Sequence, residues 1–423
     1  MAQLIDDCFA FDGPLMRIAD MERLIVERVS PVIEREDIAL NGAVGRVLAA
    51  DVVSGVNVPP FDNSAVDGFA VRSEDLNASG ETRLNIIERV TAGASPARKL
   101  GKGEATRIFT GAPVPEGADT VFMQEDTRVE AGVVIVPPGL KRGANFRLAG
   151  EDVRVGATVL QAGRRLMPQH VALGAALGLT TLTVRRRVRV ALFSTGDEIV
   201  EPGKPLAKAA LYDSNRYLLS GMLRALGAEV TDLGILHDDS VQLAQAISEA
   251  ARNHDLVLTS GGVSTGEADH VRDAVAKIGK LVFWRVAIKP GRPVAMAVLS
   301  GANGHSAAFA GLPGNPVAVF VTFIRVVRPL LLRLAGALPE SLIAVPARAT
   351  FNYKKKKDRR EYIRVSARIG SDGAIELEKY PHEGAGLLAS LTETSGLAEI
   401  TEDITAIAPG DMLGYLPYAV LTN

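Results

Sequence analysis

Three short apolar runs each break into glycines and small polar residues, and this repetition constrains the fold more than any other feature. The runs are Val188 to Phe193, Leu256 to Leu258 and Ser306 to Ala310, and they fall within about 130 residues of chain. Continuous apolar runs are typical of strands buried on both faces of a parallel sheet. The repetition therefore predicts an open α/β sheet, in which ligands bind beyond the carboxyl ends of the strands.

Helical patterns separate these runs, and the alternation predicts a doubly wound α/β domain. Asn315 is a good N-cap and Pro316 a good first residue for the last helix of the series. The predicted strands are 188–193, 228–235, 255–259, 281–288, 294–299 and 306–310, and the predicted helices are 213–226, 240–252, 268–278 and 316–334.

The flanking regions have a different pattern, which predicts β modules on both sides of the α/β domain. Residues 82–136 cluster β-branched residues between Gly and Pro turns, and the chain from about 340 onward is similar. Glu361 to Ile369 alternates cleanly, and Ser371-Asp-Gly373 predicts a hairpin turn. The other segments are predicted as a helix over 14–35, an amphipathic segment at 36–56 that leads to a strand from Val47 to Val53, a connecting region at 140–166 and a helix over 168–179.

The composition excludes several classes of protein. A formal net charge of −2 argues against a general nucleic-acid binder, which is normally basic. No apolar run reaches the ~20 residues that span a bilayer, since the longest, Val317 to Leu332, is interrupted by two arginines and a proline. Cys8 is the only cysteine, so an intrachain disulfide is ruled out. With no signal peptide visible in Met1 to Asp12, we expect a cytoplasmic protein without membrane or nucleic-acid partners.

The loop after Leu258 combines Ser260-Gly-Gly262 with two acids, Glu267 and Asp269. Glycines expose backbone N–H groups to which an anion can approach closely. The acids favour an anion only if a cation lies between, so the loop predicts a phosphate and Mg²⁺ site at the end of a parallel strand. A plain turn is the alternative.

Two further loops carry acids beside hydroxyl groups. Residues 194–198 read Ser-Thr-Gly-Asp-Glu directly after a predicted strand. The 59–69 loop holds Asp62, Asn63, Ser64 and Asp67 between two prolines and a tight exit at Gly68. Capping of a turn would explain the 59–69 loop, but we favour function because its apolar flanks would anchor the loop while its acids face outward.

Cations occur in a stiff turn at 286–293, where Pro290 and Pro293 flank Gly291 and Arg292. Lys289 and Arg292 in such a turn, with Arg285 just before it, are suited to bind an oxyanion. Surface solvation is the alternative. The basic run 354–360 is interpreted as a solvated hairpin tip rather than an anion site.

Other polar residues are interpreted as structural, or their role is not decided by the sequence. Asp238 and Asp239 follow a predicted strand, and Asp239 or Ser240 is a candidate helix cap. Thr110 opens a rigid turn that ends at Pro115. The three histidines His237, His254 and His270 show no metal-ligand spacing and are interpreted as structural, and no Ser-His-Asp or nucleophilic cysteine arrangement is visible.

Together these segments resemble the MoeA family, the molybdopterin molybdenumtransferases of molybdenum cofactor synthesis, whose eukaryotic relatives include the E domain of gephyrin. The motifs span nearly the whole chain in one order, and the ordered set is far more specific than any one of them. They are Pro60-Phe-Asp-Asn-Ser-Ala-Val-Asp-Gly-Phe-Ala70, Thr110-Gly-Ala-Pro-Val-Pro115, Gly150-Glu-Asp152, Ser194-Thr-Gly-Asp-Glu198, Asp213-Ser-Asn215, Ser260-Gly-Gly-Val-Ser-Thr-Gly-Glu-Ala-Asp269, Lys289-Pro-Gly-Arg-Pro293 and Gly311-Leu-Pro-Gly-Asn-Pro316.

The resemblance implies an elongated homodimer with four domains per chain. It implies a first, discontinuous domain at 1–48 and 143–185, an inserted β domain at 49–142, an α/β domain at 186–335 similar to molybdopterin adenylyltransferases, and a C-terminal β domain at 336–423. The active cleft would lie between the α/β domain of one subunit and the inserted β domain of the other. Partners implied in the same way are the molybdopterin adenylyltransferase and cofactor-delivery proteins.

The resemblance also implies a reaction, in which adenylylated molybdopterin and molybdate give molybdenum-loaded cofactor and AMP with help from Mg²⁺. Asp269 and Glu198 would hold the metal, the Ser260–Gly262 amides would cradle phosphate, and Lys289 and Arg292 would bind molybdate or pterin phosphate. Substrate binding is implied for Ser260, Gly261, Gly262, Ser264, Lys289, Arg292, Pro313, Asn315 and Pro316, and catalysis for Asp67, Thr110, Asp152, Glu198, Asp238 and Asp269.

The chain departs from the family pattern at three positions. Arg285 and Arg292 stand where many relatives carry lysine, which keeps the charge but changes the geometry of anion binding. Phe69 replaces a common tyrosine. Two other classes of function stay open beside the transferase, namely a scaffold that binds pterin without turnover and an adenylyltransferase or related nucleotide hydrolase.

Overall fold

The computed structural model describes residues 15–263, 270–300 and 306–421. Its first helix, Ile18–Arg28, buries Ile18, Met21 and Ile25 at helical spacing. The helix is shorter than predicted because Pro31 disfavours a helical conformation in the preceding residue. Within the described residues none of the helices is both long and apolar enough to cross a membrane.

The segment 36–56 does not contain the long strand that its pattern predicts. The strand Arg35–Ala39 pairs antiparallel with Thr181–Arg185, and a single helical turn, Leu40–Gly42, follows it. The predicted strand from Val47 to Val53 is reduced to isolated bridges and Val52–Val53, which pairs with Thr158–Leu160. Backbone bonds to residues 157–166 and 183 occupy this stretch, so its apolar side chains pack into a small core instead of a continuous ladder.

The second helix, Pro168–Ala176, begins at the predicted proline, and the chain leaves it at Gly178, whose positive φ ends the helix. Between these two helical regions lies a six-stranded sheet, as the β-branched pattern predicts; we call it the β module. Its strand order is Thr120–Met123, Gly68–Val71, Glu104–Ile108, Thr82–Val90, Val133–Val136 and Arg128–Glu130.

The α/β domain contains a second six-stranded sheet, which confirms the predicted architecture. Four neighbouring strands pair in parallel, and two further strands are added at one edge, each by antiparallel pairing with its neighbour. Across the sheet the order is Glu229–Leu236, Arg189–Thr195, Leu256–Ser260, Ser306–Leu312, Pro293–Ser300 and Gly279–Arg285. The helices are Asn215–Ala225, Ser240–Asn253, His270–Ile278, Pro316–Thr322 and Arg328–Leu334, and a π-helical turn, Phe323–Val327, joins the last two.

Alternate side chains of one strand enter two separate cores. Val190 and Leu192 pack in the larger core, which also contains the 316–334 helix, whereas Ala191 and Phe193 pack in the core beneath the helices Ser240–Asn253 and His270–Ile278. The sheet is therefore covered on both faces, which explains why its strands read as continuous apolar runs.

The C-terminal region forms a third six-stranded sheet, as predicted. Its strands are Ile288–Lys289, Arg360–Ile369, Ile375–Lys379, Val345–Ala349, Met412–Pro417 and Gly396–Ile400, and short helices occur at Ala389–Glu393 and Tyr418–Leu421. The hairpin at 371–373 is present, with Ile369 opposite Ile375. The predicted strand 281–288 is divided, because its end leaves the α/β sheet and pairs with the start of Arg360–Ile369.

The clean alternation expected of Glu361 to Ile369 is wrong. Residues 361–365 are all buried, whereas Ile369 is 72% exposed. The polar members of the buried stretch are satisfied internally: Glu361 accepts hydrogen bonds from Tyr353 and Arg359, and Arg364 donates to Ser390. A buried charged residue that is fully paired carries no periodic signal in the sequence.

The basic run 354–360 is only in part a solvated tip. Lys355 donates to the backbone oxygens of Arg359 and Glu402, and Arg360 pairs with the Glu402 carboxylate at 3.0 Å. These contacts tie the turn to the C-terminal sheet. Lys354, Lys356 and Lys357, which are also cations of the run, form no ion pair with the described residues.

Candidate functional site

The carboxyl ends of adjacent parallel strands bring several polar segments together in the α/β domain. Ser194 lies opposite Ser260, and Ser260 lies opposite Leu312, so the loops that follow these strands leave the sheet side by side. Asp238 follows the neighbouring strand Glu229–Leu236. We call this region the strand-end site.

Two glycines are required in the loop that begins at Ser260. A Cβ on Gly261 would lie 2.3 Å from the carbonyl oxygen of Thr195, and a Cβ on Gly262 would lie 2.3 Å from Val271. Both residues have positive φ, of 88° and 67°. The loop therefore turns tightly against the end of the neighbouring strand, a path open only to glycine.

The hydrogen bonds of this loop reduce the number of backbone N–H groups that are available to bind an anion. The Gly261 N–H donates to the carbonyl oxygen of Leu312 at 3.1 Å, so it is engaged within the protein. The Ser260 hydroxyl accepts from the Asn215 amide at 2.9 Å and lies 3.4 Å from the carbonyl oxygen of Pro313. The Gly262 N–H has no hydrogen-bond partner among the described residues. Of the two glycine amides, we therefore expect that of Gly262 to donate to an anion.

Asn215 fixes the relative position of two loops, a role that analysis of the sequence did not assign. Its side-chain NH₂ donates to Ser260 and to the carbonyl oxygen of Gly314 at 2.7 Å. The residue begins the helix Asn215–Ala225, and next to it Arg216 is bound by Asp213. The Asp213-Ser-Asn215 motif was the available signal, but its spacing alone does not show that the amide bridges two strand ends.

Several polar atoms at the strand-end site are buried without a hydrogen-bond partner in the described protein. They are the hydroxyls of Ser194, Thr195 and Thr259, Oδ1 of Asn215 and Oδ1 of Asp238. Leaving such a group unpaired costs about 1–3 kcal/mol. These buried atoms lie in or next to the loops at one sheet edge, so the unmet hydrogen bonds of this part of the domain are concentrated at the strand-end site.

Asp238 is the acid that burial affects at this site. Burial raises the pKa of its carboxyl, His270 opposes that shift, and the nearby carboxylates of Asp197 and Glu198 add to it. His270 therefore faces the site, whereas His254 has the structural role predicted for it, since it bonds to the Ala250 carbonyl and the Thr231 hydroxyl.

The stability of the fold should depend on pH through Asp238. The pKa of Asp238 in the folded state lies above the ordinary value of 3.8, so its carboxyl contributes stability that is fully present below pH 3.8. That stability is lost as the pH rises through the folded-state pKa. Replacing it by Asn removes this dependence. We expect the free energy of unfolding of wild type minus that of Asp238→Asn to fall as the pH rises above about 3.8, measured by urea unfolding at a series of pH values. A difference that stays constant over this range would contradict the assignment.

The neighbouring acid Asp239 is a helix cap, as considered from the sequence. Its side chain accepts from the N–H groups of Val241 and Gln242 at 3.1 and 2.8 Å. We expect Asp239→Ala to lower the free energy of unfolding by about 1 kcal/mol. Ser240→Ala, at the first helical position, is the matched control and should change it by less than about 0.5 kcal/mol. Equal losses in a urea titration would show that the cap contributes nothing.

The predicted cations occupy two different environments. The Lys289 ammonium donates to the Tyr353 hydroxyl at 3.0 Å and lies 3.5 Å from the Glu361 carboxylate. Burial alone would lower the pKa of Lys289, but these two partners raise it above the ordinary value. Arg292 is exposed, and Arg285 is partly buried and has protein contacts of its own. The 286–293 turn is therefore a contact between domains and not a freely solvated turn.

A second polar cluster lies on the β module. Asp67 Oδ1 accepts from the Thr110 N–H and from the Thr110 hydroxyl, both at 2.8 Å. The backbone bond, the side-chain bond and the charge of Arg107 lower the pKa of Asp67, and only slight desolvation opposes them. Asp67 is half-buried and Thr110 is exposed, so a carboxylate with a lowered pKa lies beside a hydroxyl at the surface.

The other acids and amides of the 59–69 loop are structural. Asp62 accepts from the Ala149 N–H at 2.7 Å, Asn63 donates to the Phe61 carbonyl, and Ser64 donates to Val66. Asn63 and Ser64 are buried. Turn capping, the alternative interpretation of this loop, therefore applies to these three residues, and Asp67 is the acid of the loop that bonds to Thr110 instead.

The remaining predicted site residues are distributed as follows. Asp152 is exposed at a turn, and Glu198 is exposed with its carboxylate folded over Gly196. Asn315 occupies the predicted N-cap position before Pro316, but its side chain makes no capping bond. Ser264, Glu267 and Asp269 lie outside the described residues. Within the described ranges, acids, histidines and cysteines form no group of three close enough to bind a metal.

The strand-end site and the β module are separate within one chain. The hydrogen bonds of the Asp67–Thr110 pair stay within the β module, and those of the Asn215 amide stay within the α/β domain. The chain thus carries two clusters of polar residues, one on each unit.

Comparison with known protein families matches three successive models to the chain. Residues 16–178 match the MoeA N-terminal region (domain I and II). Residues 191–333 match the probable molybdopterin binding domain, and residues 346–418 match the MoeA C-terminal region (domain IV). The middle match contains the whole strand-end site.

Relatives of known name match along nearly the full length. A molybdopterin molybdenumtransferase of Haemophilus influenzae is 37% identical over 93% of this chain and 96% of its own. One from Nostoc is 36% identical over 94% and 92%. A solved molybdopterin biosynthesis MoeA protein of Pyrococcus horikoshii superposes with a TM-score of 0.79 and 29% identity over 96% of this chain and 100% of its own.

Proposed function

Since the chain belongs to the MoeA family of molybdopterin molybdenumtransferases, we propose that it transfers molybdenum from molybdate to adenylylated molybdopterin with release of AMP. Its place as a transferase in molybdenum cofactor biosynthesis follows from the family. The single observation that supports the choice of substrate is the strand-end site, where a loop that requires glycine lies beside buried hydroxyls without a partner in the described protein.

We assign substrate binding to the residues that the fold already holds in place. The Gly262 amide and the Ser260 hydroxyl would bind a phosphate of the substrate, and Asn215 would keep that hydroxyl oriented. Lys289, held by Tyr353 and Glu361, and the exposed Arg292 would attract the molybdate oxyanion. Each group is positioned before the ligand arrives, so little entropy is lost on binding.

The described acids of the strand-end site could hold Mg²⁺ only together with the segment outside the described residues, since the described acids, histidines and cysteines form no group of three that could hold a metal. Hard cations prefer carboxylate oxygens, and Asp238 offers a buried Oδ1 without a partner in the described protein. We propose that Asp238 and Glu198 hold the metal, together with Asp269 from the segment outside the described residues. The chemistry that Mg²⁺ supplies when bound is neutralisation of phosphate charge as the pyrophosphate separates.

We further propose that the enzyme acts as a cytoplasmic homodimer. The Asp67–Thr110 pair and the strand-end site make no recorded contact within the described part of one chain, so each would complete the cleft of the other subunit. A symmetric dimer would then contain two such clefts. The same surfaces would receive substrate from the adenylyltransferase and pass product to delivery proteins.

The test is AMP release by the purified protein from adenylylated molybdopterin in the presence of Mg²⁺, with and without molybdate. We expect release that depends on molybdate and that yields cofactor able to activate an apo-molybdoenzyme. No release under either condition would contradict the proposal and favour a scaffold that binds pterin without turnover. Pyrophosphate release from ATP and molybdopterin would instead indicate an adenylyltransferase.

A further inference from the structure

An open concavity of about 680 Å³ lies on one face of the β module, outside the strand-end site. Phe69 and Arg107 lie opposite each other on adjacent strands, and Arg107 lies opposite Arg89 on the next strand. Residues opposite each other across strands share a face. Three strands therefore present two arginines in a row above the apolar side chains of Ile86 and Val129.

Aromatic rings hold the two guanidinium groups in fixed planes. Arg89 lies 4.7 Å from the ring centre of Phe109. Arg107 lies 5.0 Å from the same ring and 4.9 Å from that of Phe69. Stacking of this kind restrains a guanidinium while its N–H edge stays available to an anion.

Neither arginine forms an ion pair within the part of the chain that the structure describes, although the charge of Arg107 is close enough to Asp67 to lower the pKa of that carboxyl. Arg107 donates to the Gly68 carbonyl at 3.3 Å and to the side-chain amide of Gln124, which are both neutral. Arg89 is exposed, and its recorded contact is the ring of Phe109. Glu88, the acid in the concavity, is engaged by the Ala97 N–H at 2.8 Å. The concavity therefore carries a net positive charge.

This positive surface continues directly into the Asp67–Thr110 pair. Arg107 bonds to the carbonyl of Gly68, the residue after Asp67, and Gln124 donates its backbone N–H to the Asp67 carbonyl at 3.0 Å. Thr110 follows Phe109 on the same strand end. A ligand that reaches Asp67 would therefore also lie beside the guanidinium groups.

We propose that Arg89 and Arg107 bind a phosphate ester carried on a flat heterocycle, with Phe69 and Phe109 fixing the two cations. This inference rests on the proposed function, whose substrate has two such parts, the adenylyl half and the pterin half. Two guanidinium groups match a phosphate by bidentate hydrogen bonding, and the apolar wall of the concavity matches a ring.

Binding of AMP and of molybdopterin is measured separately by calorimetry for wild type, Arg89→Ala and Arg83→Ala. Arg83 is the matched control, because it is an exposed arginine of the same strand that pairs with Glu130 away from the concavity. We expect Arg89→Ala to weaken binding of one probe by about tenfold. Loss of AMP binding assigns the adenylyl half, loss of molybdopterin binding assigns the pterin half, and Arg83→Ala should bind both as wild type does.

Steady-state kinetics separate this inference from the proposed function. In an active enzyme, Arg89→Ala should raise KM for adenylylated molybdopterin about tenfold, with kcat changed by less than about threefold. Arg107→Lys, which keeps the charge but loses the planar fork, should show the same direction of change. Unchanged binding of both probes by Arg89→Ala would overturn the inference whether or not wild type releases AMP, whereas absence of AMP release contradicts only the function.

Discussion

Subunits that carry Asp67→Ala and subunits that carry Asp238→Ala should together restore about a quarter of wild-type AMP release, although each variant alone is nearly inactive. Random pairing makes half of the dimers mixed. In a mixed dimer one cleft combines an intact β module with an intact strand-end site, and the other cleft lacks both acids. Each single variant should lose about 100-fold in kcat, because each removes a carboxylate from a site used in every turnover.

The random mixture from co-expression should give this quarter, and mixed dimers isolated through two different affinity tags should reach about half of wild-type AMP release, because each has one intact cleft of two. Co-expression of Asp67→Ala with Thr110→Ala is the matched control. Both of these residues belong to the β module, so every cleft lacks one of them and no activity should return. If the first mixture also stays inactive while its dimers form, the two clusters do not share a cleft between subunits.

Gly261→Ala should be a strongly damaging substitution, although it adds only one methyl group. Its Cβ would lie 2.3 Å from the Thr195 carbonyl oxygen, in a conformation with a φ of 88° that disfavours any side chain. Backbone must move on both sides of the contact, and the free energy of unfolding should fall by about 2–4 kcal/mol. Displacement of the loop should also abolish measurable AMP release. Chemical denaturation and the release assay check the two effects.

Gly314→Ala provides the comparison, because it lies in the neighbouring loop with open space around the missing Cβ. The free energy of unfolding of that variant should stay within about 0.5 kcal/mol of wild type. Equal stability of Gly261→Ala and Gly314→Ala would mean that the loop can relax away from Thr195, and the requirement for glycine at 261 would then be wrong.

Periodicity in the sequence predicts the α/β sheet well, because strands covered on both faces leave continuous apolar runs. Every predicted strand of that domain has a counterpart, although the run 281–288 is shared between two sheets. The predicted burial was wrong where charged side chains are buried through hydrogen bonds and ion pairs, because such residues interrupt the apolar periodicity of a strand. The Glu361 and Arg364 side chains are buried beside apolar neighbours because Tyr353, Arg359 and Ser390 satisfy them, and such contacts depend on distant residues.

The sequence predicted which loops form the site, but not which residue of each loop has which role. Motifs brought Ser260, Asp238 and Asp67 into consideration, whereas neither spacing nor composition separates Asp238 from the capping Asp239. The bridging of two loops by Asn215 and the guanidinium stack around Phe109 depend on side-chain direction, and local sequence leaves that direction undetermined.

The short strand Ile288–Lys289 has a consequence for how this enzyme can diversify. Its backbone belongs to the C-terminal sheet, while the chain before and after it belongs to the α/β sheet. The C-terminal sheet thus aligns Lys289, and in the proposed function the cleft of the α/β domain uses this lysine to bind an anion. Substitutions in the C-terminal sheet can retune the position of a cation at the cleft while the catalytic loops keep their sequence, so lineages could adjust anion preference in the less constrained module.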